Sequence, residues 1–199
     1  MSKKITKKEA ILQAAALFFS EKGYRDTSMG DIAKATGVAD GTVFYHFKSK
    51  EDLFLAVLAN FKESVIQEFE EYLLENTFDT GLEMVEGIIS FYFDMAARME
   101  ERFLLLHRHF PYRLAEENPI CRKHLEDIYN CFLNIFEKAV LRGQRDGSIA
   151  PMSARKTSLI LFTMVDGLAR LNTYNLYHAG NLFDELLESC RKILKKDKA

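Results

Sequence analysis

Residues 27–47, TSMGDIAKATGVADGTVFYHF, constrain this chain more than any other stretch. They read as two short helices joined by a tight turn. Ser28 offers an N-cap oxygen, and Asp31 stands three residues on, where a capping acid belongs. Ile32 and Ala33 give the first helix its apolar face. Gly37 follows where a left-handed backbone ends it, a conformation cheapest without a Cβ. Asp40 is placed to cap the second helix, residues 41–47. On that helix Val43 and Phe47 share one face, while Thr42, Tyr45 and His46 share another. A packing face opposite a hydroxyl and two polar rings is what a helix entering a DNA major groove requires. The same spacing also fits an ordinary surface αα-hairpin that happens to end in aromatic residues.

Composition narrows the rest. With 199 residues, 48% of them hydrophobic, the chain can bury a substantial core as one large or two small domains. Only three prolines and ten glycines interrupt it, so long helices are permitted nearly everywhere, and no β-alternating run, repeat or low-complexity tract is present. The first eight residues are basic and polar, unlike a signal peptide, and no stretch approaches the roughly 20 apolar residues of a membrane span. Cys121, Cys131 and Cys190 are scattered without metal or redox spacing, which suits a reducing cytoplasm. Charge is uneven. Residues 1–50 hold nine Lys/Arg against five Asp/Glu, whereas the remainder holds eighteen against twenty-four. A basic first third on an acidic body fits an anionic polymer met at that end only.

In chain order, Thr6 and Glu9 form a capping box ahead of an apolar helix over residues 7–22, closed by Gly23. Ser49, with Asp52 three residues on, caps a fourth helix whose apolar positions run from Leu53 to Phe69 and on toward Leu74. The start of that helix presents free amides, and Lys50, to a phosphate. Residues 15–54, AALFFSEKGYRDTSMGDIAKATGVADGTVFYHFKSKEDLF, resemble the DNA-binding domain of the TetR family of bacterial transcriptional regulators. The most specific part is GTVFYHFKSKEDLF, which joins the second short helix to the cap of the next.

The resemblance implies an all-α homodimer of about nine helices. A helix-turn-helix domain, residues 1–51, would precede a larger ligand-binding and dimerisation domain, residues 52–199. By position it implies that Thr42 and Tyr45, on the helix opened by Gly41, touch bases or phosphates. His46 and Lys50 would contact the backbone, and Thr27 and Ser28 would meet a phosphate at the preceding helix. At Phe44 family members commonly carry tyrosine; here the hydroxyl is missing, leaving packing or an apolar contact to a thymine methyl.

Beyond residue 80 the caps are legible one by one. Asp79 or Thr80 begins a helix through Met95, and a shorter segment over residues 100–110 ends at Pro111. Asn118 with Pro119 opens the next helix, which stops near Gly143. Ser153 caps another, and the last runs from about Leu182 to Leu194. Residues 159–165, LILFTMV, are apolar nearly all round, and Gly167 permits close approach of a neighbour. The final helix carries Leu182, Leu186, Leu187, Cys190 and Ile193 on one stripe. These two helices, through Leu159, Phe162, Gly167 and that stripe, are expected to pair with their mates in a four-helix dimer interface, unless they close a monomeric core. In a body of TetR type the middle helices surround an inducer. The candidate lining is Phe91, Met95, Met99, Phe103, His107, Tyr129, Phe132, Phe136, Phe162 and Asp166, a set suited to a largely hydrophobic molecule.

Metal and catalytic chemistry find little purchase. His107, His109, Cys121 and His124 hold ligand atoms, but no motif fixes the first pair to the second. GxSxG, glycine-rich phosphate loops and HExxH are all lacking. The expectation is therefore a cytoplasmic, ligand-responsive repressor, not an enzyme and without cofactor, metal or membrane. It would bind a palindromic double-stranded operator as a homodimer and be released by a small hydrophobic inducer.

Overall fold

Ten α-helices and one short 3-10 turn account for the regular structure in the computed structural model, which describes residues 5–195. The basic residues Lys3 and Lys4, with the question of whether that end reaches DNA, lie outside the described residues. The helices are α1 Lys7–Glu21, α2 Met29–Thr36, α3 Asp40–His46, α4 Lys50–Glu75 and α5 Gly81–Arg98. They continue with α6 Glu100–Leu106, α7 His109–Glu117, α8 Pro119–Asp146, α9 Ala154–Thr173 and α10 Phe183–Leu194, the 3-10 turn Ala179–Leu182 preceding the last. Among the described residues there is no strand, and the all-α expectation holds.

Packing divides the chain into two compact units. One takes the described residues up to Val65 with Glu101–Asp127; the other takes Ile66–Glu100 with the described residues from Ile128. In the first, α1 packs on α2 and α3. Ile11, Phe19, Ile32, Val43, Phe47, Leu53 and Phe54 are buried at the centre. Phe103 of α6 lies edge-on to Phe61 at 5.4 Å. Phe110 of α7 stacks on Tyr24 at 3.8 Å and meets Phe54 edge-on at 4.9 Å.

The expected helix over residues 100–110 is in fact two. The chain breaks at His107 and Arg108, and Pro111 sits in the first turn of α7. Proline is tolerated there because first-turn amides have no intrahelical acceptor, so it starts a helix here where an end was expected. This break is one reason for ten helices where about nine were expected.

In the second unit an aromatic core surrounds Phe132 of α8. Phe69 of α4 and Tyr92 of α5 lie edge-on to it at 5.6 and 5.0 Å, and Phe162 of α9 stacks on it at 5.3 Å. Arg191 of α10 forks onto Glu86 of α5 at 2.6 and 2.8 Å. Gly143 does not stop α8, which runs on to Asp146 before Gly147 turns the chain at φ +82°. The reason is packing. A Cβ on Gly81 would fall 2.0 Å from the Gly143 amide nitrogen and 2.6 Å from the Ala139 carbonyl. The two glycines let α5 begin against the backbone of α8. Two bonds from the end of α8 then cap α5. Asp146 Oδ2 accepts the Gly81 amide at 2.7 Å, and Ser148 Oγ accepts that of Leu82 at 3.2 Å.

Candidate nucleic-acid interface and ligand pocket

The turn between α2 and α3 is built as its sequence demands. Ser28 Oγ accepts the Asp31 amide at 3.0 Å, and Asp31 Oδ2 accepts the Ser28 amide at 3.2 Å, a complete capping box. At the other end Gly37 adopts φ +67°; its amide bonds the Lys34 carbonyl and that of Val38 bonds Ala33. This Schellman pattern fixes the angle at which α3 leaves. Asp40 is the first residue of α3 and does not cap it; Ala39 holds the cap position without a side-chain bond.

On α3 the two faces separate as expected. Val43 and Phe47 are buried. Tyr45 is 75% exposed, its ring edge-on to His46 at 5.2 Å. Thr42 and His46 are half-buried, and Gly41 has open space around the position a Cβ would take. Phe44 is 48% exposed, so it presents an apolar ring outward beside Tyr45. That position counts among the residues able to meet a thymine methyl.

Two expected phosphate contacts face inward instead. Thr27 is buried, and its hydroxyl donates to the Gly23 carbonyl at 2.9 Å and the Phe18 carbonyl at 3.2 Å. Lys50 donates from Nζ to the carbonyls of Tyr24, Thr27 and Arg25 at 2.8, 2.9 and 3.3 Å, and lies 4.5 Å from the Tyr24 ring centroid. An ammonium has three protons, and all three are used. Both residues hold the loop between α1 and α2; neither side chain has a donor left for DNA. Ser28 is exposed, yet its one O–H proton goes to Asp31 Oδ2 at 2.7 Å, which with the backbone bond holds that carboxyl below its ordinary range. What this end of α2 offers a phosphate is its first-turn amides and dipole.

Lys50→Met is expected to lower stability by about 2 kcal/mol in urea unfolding, the cost of leaving carbonyls without a charged donor. The salt slope of DNA binding is expected to stay unchanged, whereas loss of a true phosphate contact lowers it by about one.

The expected ligand lining is distributed over both units. Phe91, Met95, Tyr129, Phe132, Phe136, Phe162 and Asp166 belong to the second, as does Met99 at the end of α5. Met95, Phe132 and Phe136 are fully buried, and Phe91 stacks on Tyr72 at 4.2 Å. The buried Tyr92 donates its hydroxyl to Asp166 Oδ1 at 2.6 Å, a polar pair set among these rings. Phe103 and His107 belong to the first unit, their rings 6.4 Å apart.

The dimer stripe also divides. Leu159, Leu182 and Ile193 are exposed, Leu187 is half-buried, and Gly167 has open space around its Cβ position. Phe162, Leu186 and Cys190 are buried in the chain's own core, which removes them from the expected interface. Their apolar spacing is real, but the same chain fills it. Burial, with nearby carboxylates second, pushes the thiols of Cys121, Cys131 and Cys190 up to about 11, so at neutral pH they remain protonated packing groups.

Arginines absent from the expected sites also do structural work. Arg108 donates from Nε to the Ser20 carbonyl at 2.8 Å and from its terminal nitrogen to Ser20 and Glu21, capping the end of α1. Nothing in the spacing of the segment 107–113, HRHFPYR, announces a partner near residue 20.

The family profile described as bacterial regulatory proteins, tetR family, matches residues 11–57. The fatty acid metabolism regulator protein of Bacillus subtilis is 28% identical over 195 residues, 95% of this chain and 97% of that protein. The crystal structure of the regulator FadR from B. subtilis in complex with stearoyl-CoA is 25% identical, with a TM-score of 0.74 over 94% of this chain and 98% of that one. A transcriptional regulator from Saccharomonospora viridis, solved in complex with choline, shares the fold at TM-score 0.83 and 19% identity, covering 96% of this chain and 98% of its own.

Proposed function

We infer from the chain's membership of the TetR family of bacterial transcriptional regulators that it is a ligand-released repressor, binding a palindromic operator as a homodimer. The family is one of regulators, and we assign this chain no catalytic role. The observation that carries the reading is α3. A rigid Schellman turn holds out Gly41, Phe44 and Tyr45, which the fold itself does not need. In this reading residues 1–51 form the DNA-binding domain and residues 52–199 the ligand-binding and dimerisation domain, although the first packing unit also takes in residues 101–127. Thr42, Tyr45 and His46 meet DNA, with Phe44 as an apolar contact. Thr27 and Lys50 support them from behind.

The second copy covers the outward face of α9, where Leu159, Ile160 and Thr163 are exposed and Gly167 leaves room for a neighbouring helix. Exposed Leu182 and Ile193 extend this surface. Two recognition helices then reach half-sites about one helical turn apart. We further infer that the inducer is a fatty acyl-coenzyme A. The supporting features are the likeness to the fatty acid regulator and the rings packed on Phe132, with Tyr92 and Asp166 as a polar pair. Ligand binding would change the tilt of α4, alter the half-site spacing and release the operator. Among the described residues no helix is long and apolar enough to cross a membrane, and such a repressor works in the cytoplasm.

Selection of duplex DNA from a random pool, followed by a salt series, tests the reading. The expected outcome is a palindromic site bound by two protomers, with affinity falling as salt rises. Stearoyl-CoA is expected to release it. Failure to enrich any duplex, or an affinity indifferent to salt, would overturn the DNA assignment.

A further inference from the structure

Thr27 and Lys50 spend their donors on carbonyls, so a side-chain cation that meets phosphate beside the start of α2 must come from elsewhere in the first packing unit. That unit contains a cleft of about 440 Å³, walled by residues 22–26 on one side and residues 108–113 on the other. Its charge is one-sided. Lys22, Arg25, Arg108 and Arg113 line it with His109, against the single acid Asp26. Arg108 is engaged in capping α1, and Lys22 lies 4.3 Å from the Phe18 ring centroid. Arg25 and Arg113 are exposed and take no hydrogen-bond or ion-pair partner among the described residues. Four cations around one concavity repel one another, and a polyanion offsets that cost. The rings of the cleft narrow the choice of anion. Tyr24 spends its ring on Phe110, stacked at 3.8 Å, and on Lys50 Nζ, 4.5 Å from its centroid. It has little left for stacking a nucleotide base, so what the cleft offers is charge.

We propose that this cleft seats backbone phosphates of the operator beyond those met by α3, with Arg25 and Arg113 as the phosphate ligands. The proposal rests on the operator reading above and extends its contact surface to the start of α7. Arg25 stands three residues before Ser28, the N-cap of α2, whose first-turn amides and dipole favour a phosphate. On a strand that meets this helix end, the neighbouring phosphates fall to the cations beside it. Guanidinium groups suit the role because their fork matches phosphate oxygens in pairs. Such contacts set affinity and register without reading sequence, so the cleft strengthens binding to any duplex and leaves base selection to α3.

The test compares the full-length protein with its Arg25→Gln/Arg113→Gln double variant on the selected operator and on a scrambled duplex of equal length, each over a salt series. Both side chains are exposed, so the thermal midpoint is expected to hold. The slope of log affinity against log salt is expected to become shallower by about two, one for each lost phosphate, on both duplexes alike. The ratio of operator to scrambled affinity is expected to stay the same. Ethylation interference on the operator separates contact from long-range attraction. Phosphates whose ethylation blocks the wild type are expected to become indifferent in the variant, at matching places in both half-sites. An unchanged salt slope would overturn the surface while leaving the operator reading intact. A shallower slope with every interference position retained would also overturn it, reducing the arginines to a diffuse field. A changed affinity ratio would assign them to base reading instead. A wild-type protein that binds no duplex would remove both the surface and the reading beneath it.

Discussion

Replacing Gly81 by alanine is expected to lower stability by on the order of 3 kcal/mol, because the added methyl meets backbone, not a side chain that can turn away. The Cβ would lie 2.0 Å from the Gly143 nitrogen and 2.4 Å from its Cα, so α5 must lift off α8 to admit it. Lifting α5 also pulls its first amides from Asp146 and Ser148, exposing two caps at once. Thermal or urea unfolding followed by circular dichroism reads the loss. Gly41→Ala serves as the control. Nothing lies within 4 Å of its Cβ position, and alanine favours a helix over glycine by up to about 1 kcal/mol. That variant should be as stable as the parent or more so. Equal stability of the Gly81 variant would mean that the crossing of α5 and α8 is looser than described.

Tyr45→Ala is expected to weaken operator binding about 10–100-fold, in the range of one lost base or phosphate contact with its stacking surface. At 75% exposure the ring contributes little to packing, so the unfolding midpoint should not move. The measurement is fluorescence anisotropy on the selected operator at matched salt, with sedimentation to show that assembly is unchanged. Tyr45→Phe separates the hydroxyl from the ring. If the hydroxyl donates to a phosphate, most of the loss appears already in that variant; if the ring contacts a base, little does. Unchanged affinity on removing the whole side chain would strike Tyr45 from the interface.

What could be read in advance was local. The capping boxes at Thr6 and Ser28, the left-handed Gly37 and the Asn118–Pro119 start all depend on residues within a few positions of one another. What escaped was decided by distant partners. Lys50 resembles a solvent-facing cation until the fold brings three carbonyls around its ammonium. Thr27 turns inward to the carbonyls of Gly23 and Phe18, an orientation that the short loop between α1 and α2 sets. Gly143 reads as a helix stop, yet its lack of a side chain admits Gly81 from 62 residues earlier. In the apolar stripe of α10, Leu186 and Cys190 pack within the chain, while Ile193 stays exposed. Periodicity marks a buried face, but it cannot tell which chain buries it.

The bonds from Arg108 to the end of α1 bear on how portable the DNA-reading module is. A module cut after residue 51 keeps Lys50 but loses Arg108 and Phe110, and with them the cap on α1 and the ring that stacks on Tyr24. Exchange of modules between relatives at that boundary would therefore join a foreign α1 to an arginine shaped for another. Grafts that carry residues 101–127 along with the first 65 would preserve the matched surfaces, and with them the operator preference of the donor.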